Sequence, residues 1–143
     1  MNKGLEQWHE IMHSGDAKAL FDLIHPDCVF WSPVVHTPQV GRDITFAYLS
    51  AATDVLSEGF EYTREIVSED HAVLEFTTTV DGIFVNGVDI ITFSDNKILE
   101  FKVMVRPLKA VNAVHRQMAE MLEKLKAASA THCHPSVSER ISY

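Results

Sequence analysis

Several things are scarce in this sequence, and each scarcity narrows what the chain can be. It has two cysteines, Cys28 in an apolar run and Cys133 in a polar stretch. That is no disulfide framework, and free thiols in a reducing compartment are the expectation. Basic residues are few, 12 Lys and Arg against 20 Asp and Glu, for a formal net charge of −8. Their densest stretch, Lys109 to Lys126, is interrupted by Glu120 and Glu123. Without a basic patch, nucleic acid and anionic membrane are poor partners. No window holds the ~18 apolar residues of a membrane span. The first ten residues mix charge and polarity and lack the apolar core of a secretory signal, so a cytoplasmic location is expected.

What is present is ordinary for a globular domain. Hydrophobic residues make up 46% and charged residues 22%. The 143 residues suit one domain. A chain of this size buries roughly two-thirds of its unfolded surface. We expect a single domain over residues 1–128 and a poorly ordered tail over 129–143, where periodicity fades and Ser, Thr and Pro accumulate.

The periodicity of apolar residues predicts the elements. Leu5, Trp8, Ile11 and Met12 have helical spacing up to Ser14-Gly15. Asp16 suits the N-cap of a second short helix, which Pro26 should end. Cys28 to Ser32 reads as a strand and Ser32 to Arg42 as a loop. Asp43 should cap a third helix with the stripe Ile44, Ala47, Tyr48, Ala51 and Val55, closed by Gly59. Then come strands. Phe60, Tyr62 and Ile66 share one face, and Ala72, Leu74, Phe76, Thr78 and Val80 alternate. Asp81-Gly82 is a turn signal, and Ile83 to Phe93 is a strand with a break expected near Asn86-Gly87. Ser94 to Lys97 turns into a last strand with Leu99, Phe101, Val103 and Val105 on one face. After Pro107 a long helix carries the stripe Leu108, Val111, His115, Met118, Leu122 and Leu125, a buried face or a partner-facing seam. Helices first and antiparallel strands later give an α+β class: helices packed on one face of a curved, mixed sheet, with room for a cavity between them.

Three stretches resemble the nuclear transport factor 2-like superfamily, in particular its SnoaL-like small enzymes. One is Ser14-Gly15-Asp16 followed by an Ala-rich helix and Cys28-Val29-Phe30-Trp31-Ser32-Pro33. Another is Pro38-Gln39-Val40-Gly41-Arg42, which opens a helix. The third is Gly87-Val88-Asp89-Ile90-Ile91-Thr92-Phe93 with Lys97-Ile98 beyond it. The resemblance implies a cone-shaped, cystatin-like α+β barrel with an apolar pocket, often as a homodimer. Its members include ketosteroid isomerases, polyketide cyclases, dehydratases, an epoxide hydrolase and proteins that only bind, so fold alone does not assign function. The isomerase pattern matches in one place of three. Its base carboxylate would fall at Ser32, its helix tyrosine at Trp8 and its protonated acid at Asp89. The epoxide hydrolase set finds Asp89 and Arg106 but no second carboxylate except Glu75, which alternation turns away.

Asp89 is therefore the leading candidate. Alternation puts it on the face of Ile91 and Phe93, where desolvation raises a carboxyl pKa. An ion pair with Arg106, or an edge location open to water, is the structural alternative. Ser32 and His36 are weaker catalytic candidates, the second as a titrating group in a loop that would rim the pocket. Trp8, Phe30, Phe60, Tyr62, Phe76, Ile91, Phe101 and Val103 are the expected ligand contacts. His9 and His13 lie one helical turn apart, and His132-Cys133-His134 forms a tripeptide. Neither finds enough further ligands for a metal site, so no metal or cofactor is expected. The reading is a small lipophilic ligand in an apolar pocket with one buried acid. It would serve acid–base isomerase, cyclase, dehydratase or hydrolase chemistry, or binding alone. The protein is expected to dimerise through the outer sheet face, with a partner-docking role for the last helix as a further alternative.

Overall fold

The computed structural model describes residues 2–130. Helix α1 (Lys3–Ser14) starts at Asn2, whose side chain accepts from Leu5 N at 3.0 Å. It ends at Gly15 in the left-handed region. Asp16 caps α2 (Ala17–Leu23). The chain then runs straight into β1 (Ile24–Trp31), so Pro26 lies inside a strand rather than between elements. The strand tolerates it because pairing to the neighbouring strand slips between Ile24 and Val29, where no ladder hydrogen bond is required of it.

The expected loop contains a two-residue strand, β2 (Gln39–Val40), paired with Val29 and Phe30. Helix α3 (Arg42–Val55) follows, with Gly41 at its N-cap and Asp43 in its first turn. Strands β3 (Glu61–Val67), β4 (His71–Val80), β5 (Ile83–Ser94) and β6 (Lys97–Arg106) complete a six-stranded sheet in the order β2-β1-β6-β5-β4-β3. Among the described residues only the β1–β6 pair is parallel. The sheet curves without closing, and its concave face is covered by the helices, including α4 (Leu108–Ala130). Helix α4 thus runs past residue 128, and residues 131–143, with His132, Cys133 and His134, lie outside the described residues.

Two irregularities decide which side chains face inward. Between β3 and β4 the register shifts between Tyr62 and Arg64. Past that bulge Ile66 pairs with Val73 on the convex face and is 61% exposed, so it does not share the face of Tyr62. Between β5 and β6 the register shifts again, so Ile98 rather than Leu99 joins Phe101 in the core. Strand β5 itself is unbroken at Asn86-Gly87. Gly87 is needed there for another reason: a Cβ would sit 2.5 Å from the Phe76 ring and 2.7 Å from the Met104 carbonyl oxygen.

Helix α4 is rotated relative to the expected stripe. Ala110, Ala113, Val114, Met118 and Leu122 are buried, while Leu108 is 74% exposed. Small alanines let the helix approach α3 and the sheet closely, which larger residues on that line would prevent. The β4–β5 turn helps hold it. Asp81, with positive φ, pairs with Arg116 at 2.8 Å and accepts from Gln117 at 2.9 Å.

Gly87→Ala should cost about 1–3 kcal/mol, the range of overpacked cores. Thermal unfolding checks it: a melting temperature equal to that of the parent would mean that the Phe76 ring and the Met104 carbonyl both give way freely.

Candidate functional site

Between the concave sheet face and helices α1, α3 and α4 lies a cavity of about 50 Å³. Among the described residues its wall is nearly all apolar, and Asp89 is the one acid on it. Asp89 stands in the middle of β5, opposite Leu74 of β4 and Val103 of β6, and is 6% exposed. Its partner is Tyr62. The Tyr62 hydroxyl donates to Asp89 Oδ2 at 2.9 Å and accepts from Trp8 Nε1 at 3.0 Å. Three elements thus supply one hydrogen-bonded row: α1, β3 and β5.

Burial pushes the Asp89 carboxyl up to about 7, and the Tyr62 hydrogen bond only partly opposes it. The same burial, reinforced by the Asp89 charge, holds the Tyr62 phenol far above its ordinary value. Tyr62 is therefore a permanent donor, and Asp89 is the wall group that titrates near neutrality. Asp89 can give or take a proton there, which suits a general acid or base. Arg106 plays no part in this. It lies on the convex side and donates to Asn86 Oδ1 at 3.3 Å.

Six of the expected contacts, Trp8, Phe30, Phe60, Tyr62, Phe101 and Val103, are on the wall. Phe76 and Ile91 are instead wholly buried behind it, Phe76 stacked on Phe60 with ring centroids 5.2 Å apart. Ser32 is also off the wall. Its hydroxyl accepts from Val34 N at 3.0 Å and Val35 N at 3.2 Å, a turn role just past β1. His36 is exposed on the loop beyond.

The sequence reading missed the helix-borne part of the wall. Leu49, Ala52, Thr53 and Leu56 line it from the α3 region, and Val114 and Met118 line it from α4. The first four are spaced i, i+3, i+4 and i+7, a second helical stripe beside that of Ile44, Ala47, Tyr48, Ala51 and Val55. Tyr62 was assigned an apolar contact, and its bond to Asp89 depends on strand register that one sequence does not display.

A groove of about 850 Å³ adjoins the cavity and shares Met12, Thr53, Leu56, Phe60 and Tyr62 with it. Its rim carries Asp16, Asp54, Glu61 and Glu65. Glu65 pairs with His9 Nε2 at 2.8 Å.

The chain matches the family model of the SnoaL-like domain over residues 5–101. Among solved structures it is similar to a steroid delta-isomerase from Pseudomonas aeruginosa, 35% identical, covering 87% of this chain and 92% of that one with a TM-score of 0.81. It is also similar to a protein with a cystatin-like fold from Silicibacter pomeroyi, 30% identical over 86% and 87% of the two chains, TM-score 0.79. A putative polyketide cyclase from Sinorhizobium meliloti shares the fold at 18% identity, TM-score 0.59, over 73% and 95% of the chains. Among curated proteins none matches. With most of its length matched by that family model, the chain belongs to the SnoaL-like domain family.

Proposed function

We propose that this protein binds a small lipophilic molecule bearing a carbonyl or hydroxyl oxygen, and that Asp89 meets that oxygen. One observation carries the reading: a carboxyl poised near neutrality on an apolar cavity wall. The steroid delta-isomerase from Pseudomonas aeruginosa, 35% identical, supports a lipophilic ligand class. The cavity of about 50 Å³ holds only the oxygen-bearing end of such a molecule. The body of a larger ligand extends past Met12 and Leu56 into the adjoining groove. Acid–base turnover is the catalytic form of the proposal, with Asp89 cycling between acid and base. A carrier role is favoured by Ser32, whose hydroxyl is engaged in a turn where a second proton-transfer group would be needed.

The convex sheet face exposes Ile66, Phe84 and Met104. We assign it to a second copy of this chain, and Phe84→Lys with Met104→Lys should convert a dimer to monomer in sedimentation equilibrium. A parent protein that sediments as a monomer would remove that assignment.

The neutral acid donates to a ketone, whereas the carboxylate repels it. Calorimetric affinity for a cyclic ketone should therefore be highest below pH 6 and fall as pH rises through about 7. Asp89→Asn should make binding independent of pH, keep it within about 1–2 kcal/mol, and abolish any turnover. Flat wild-type affinity from pH 5 to 9 would take Asp89 out of the site.

Stability carries the same signature. The folded carboxyl holds its proton more tightly than the unfolded one. Its stabilisation is full below the unfolded value and is lost as pH rises through about 7. Asp89→Asn should gain stability over the parent between acidic and neutral pH, by on the order of a few kcal/mol. Urea unfolding at two pH values measures it, and an unchanged difference would place Asp89 in contact with water.

A further inference from the structure

The row of Trp8, Tyr62 and Asp89 has a direction. An indole N–H can only donate. Trp8 Nε1 therefore occupies a lone pair of the Tyr62 oxygen at 3.0 Å. What the phenol has left is its proton, and Asp89 Oδ2 receives it at 2.9 Å. Among the described residues the Tyr62 hydroxyl has these two hydrogen-bond partners, and Asp89 Oδ1 has none.

We propose that Trp8 is a positioning residue that fixes this direction, so that Asp89 Oδ1 is the single atom offered to the ligand and Tyr62 gives the ligand no hydrogen bond. The site is then built for one hydrogen bond, made by a carboxyl whose proton resides on the cavity side. A neutral ligand oxygen suits it. An oxyanion, which gains from two or more donors, does not. The mention of a ligand rests on the binding reading above. The direction of the row does not, and it is tested without any ligand.

Trp8 acts through Tyr62. With the indole N–H removed, the freed lone pair can accept a proton bond from the neutral acid, so the neutral form gains. Tyr62 also becomes a weaker donor to the carboxylate, because hydrogen bonds in a row strengthen one another. Both effects raise the Asp89 midpoint. Among the described residues few titratable groups lie near the row. His9 of α1 and Glu65 of β3 pair with each other beside Tyr62, with the His9 and Tyr62 ring centroids 5.8 Å apart. The cross-strand neighbours of Asp89 are Leu74 of β4 and Val103 of β6, and the residues of the α3 region and α4 that share the cavity wall with it, Leu49, Ala52, Thr53, Leu56, Val114 and Met118, do not titrate.

The experiment is a carboxyl carbon-13 titration of the ligand-free protein, with the Asp89 signal assigned by its loss in Asp89→Asn. Trp8→Phe and the benzothienyl isostere of Trp8, which keeps the ring volume and lacks the N–H, are compared with the parent. The midpoint should rise by about one pH unit in both, the scale of one exchanged hydrogen bond. In a Tyr62→Phe background the isostere should leave the midpoint unmoved, because the intermediary is gone. If Trp8→Phe does not fold, the isostere decides alone. A midpoint that stays put in the isostere, or that moves equally without the Tyr62 hydroxyl, overturns the proposal and leaves Trp8 as packing. Absence of ketone binding with a raised midpoint would overturn the binding reading and leave this inference standing.

Discussion

A carboxyl group removed from water in the middle of a sheet is the constraint around which the concave face is arranged. Asp89 cannot be paired with a cation there, because the neighbouring strands bring Leu74 and Val103 to it. The fold answers with a neutral donor from the next-but-one strand and a second donor behind that one. Neutral donors soften the desolvation without cancelling it. That is why the group titrates near neutrality rather than staying ionised, and why the cavity stays chemically undecided between acid and base.

Which side chains of β3 face inward after Tyr62 depends on backbone irregularity. On a straight β3 the side chains inward of Tyr62 would alternate without interruption. The bulge at Thr63 instead brings Glu65 to the inner side, beside His9, and turns Ile66 outward. The edge strand therefore carries two polar devices on one face, a half-buried phenol and a carboxylate hydrogen-bonded to His9 at the rim. The second bulge, near Leu99, turns Ile98 into the core together with Phe101, which lines the cavity.

Much of this was legible in the sequence, for physical reasons. Strict alternation placed Asp89 on the apolar face, and the helical spacing of Leu5, Trp8 and Ile11 placed the indole on the buried side of α1. Among the described residues, two of the three hairpins of β3 to β6 were marked by Asp81-Gly82 and by the turn Ser94 to Lys97, in which Asp95 and Asn96 take positive φ. What escaped is whatever depends on register or on alternatives of equal periodicity. Pro26 looked like a terminator because the slip in β1 that accommodates it leaves no trace in composition. Helix α4 carries two stripes of similar periodicity, and the larger residues mask the one through Ala110, Ala113 and Val114 that close approach favours. Ser32 looked like a wall residue by alternation with Phe30, but the strand ends before it and the hydroxyl turns back to the following amides.

The clasp between Asp81 and α4 has a wider meaning. Val114 and Met118, which wall the cavity, belong to the helix that Arg116 and Gln117 tie to the β4–β5 turn. That tie is solvent-exposed, so mobile ions compete with it. Ionic strength is thereby connected to the seating of the cavity wall, and the shape of a water-poor interior becomes sensitive to the composition of the solution outside.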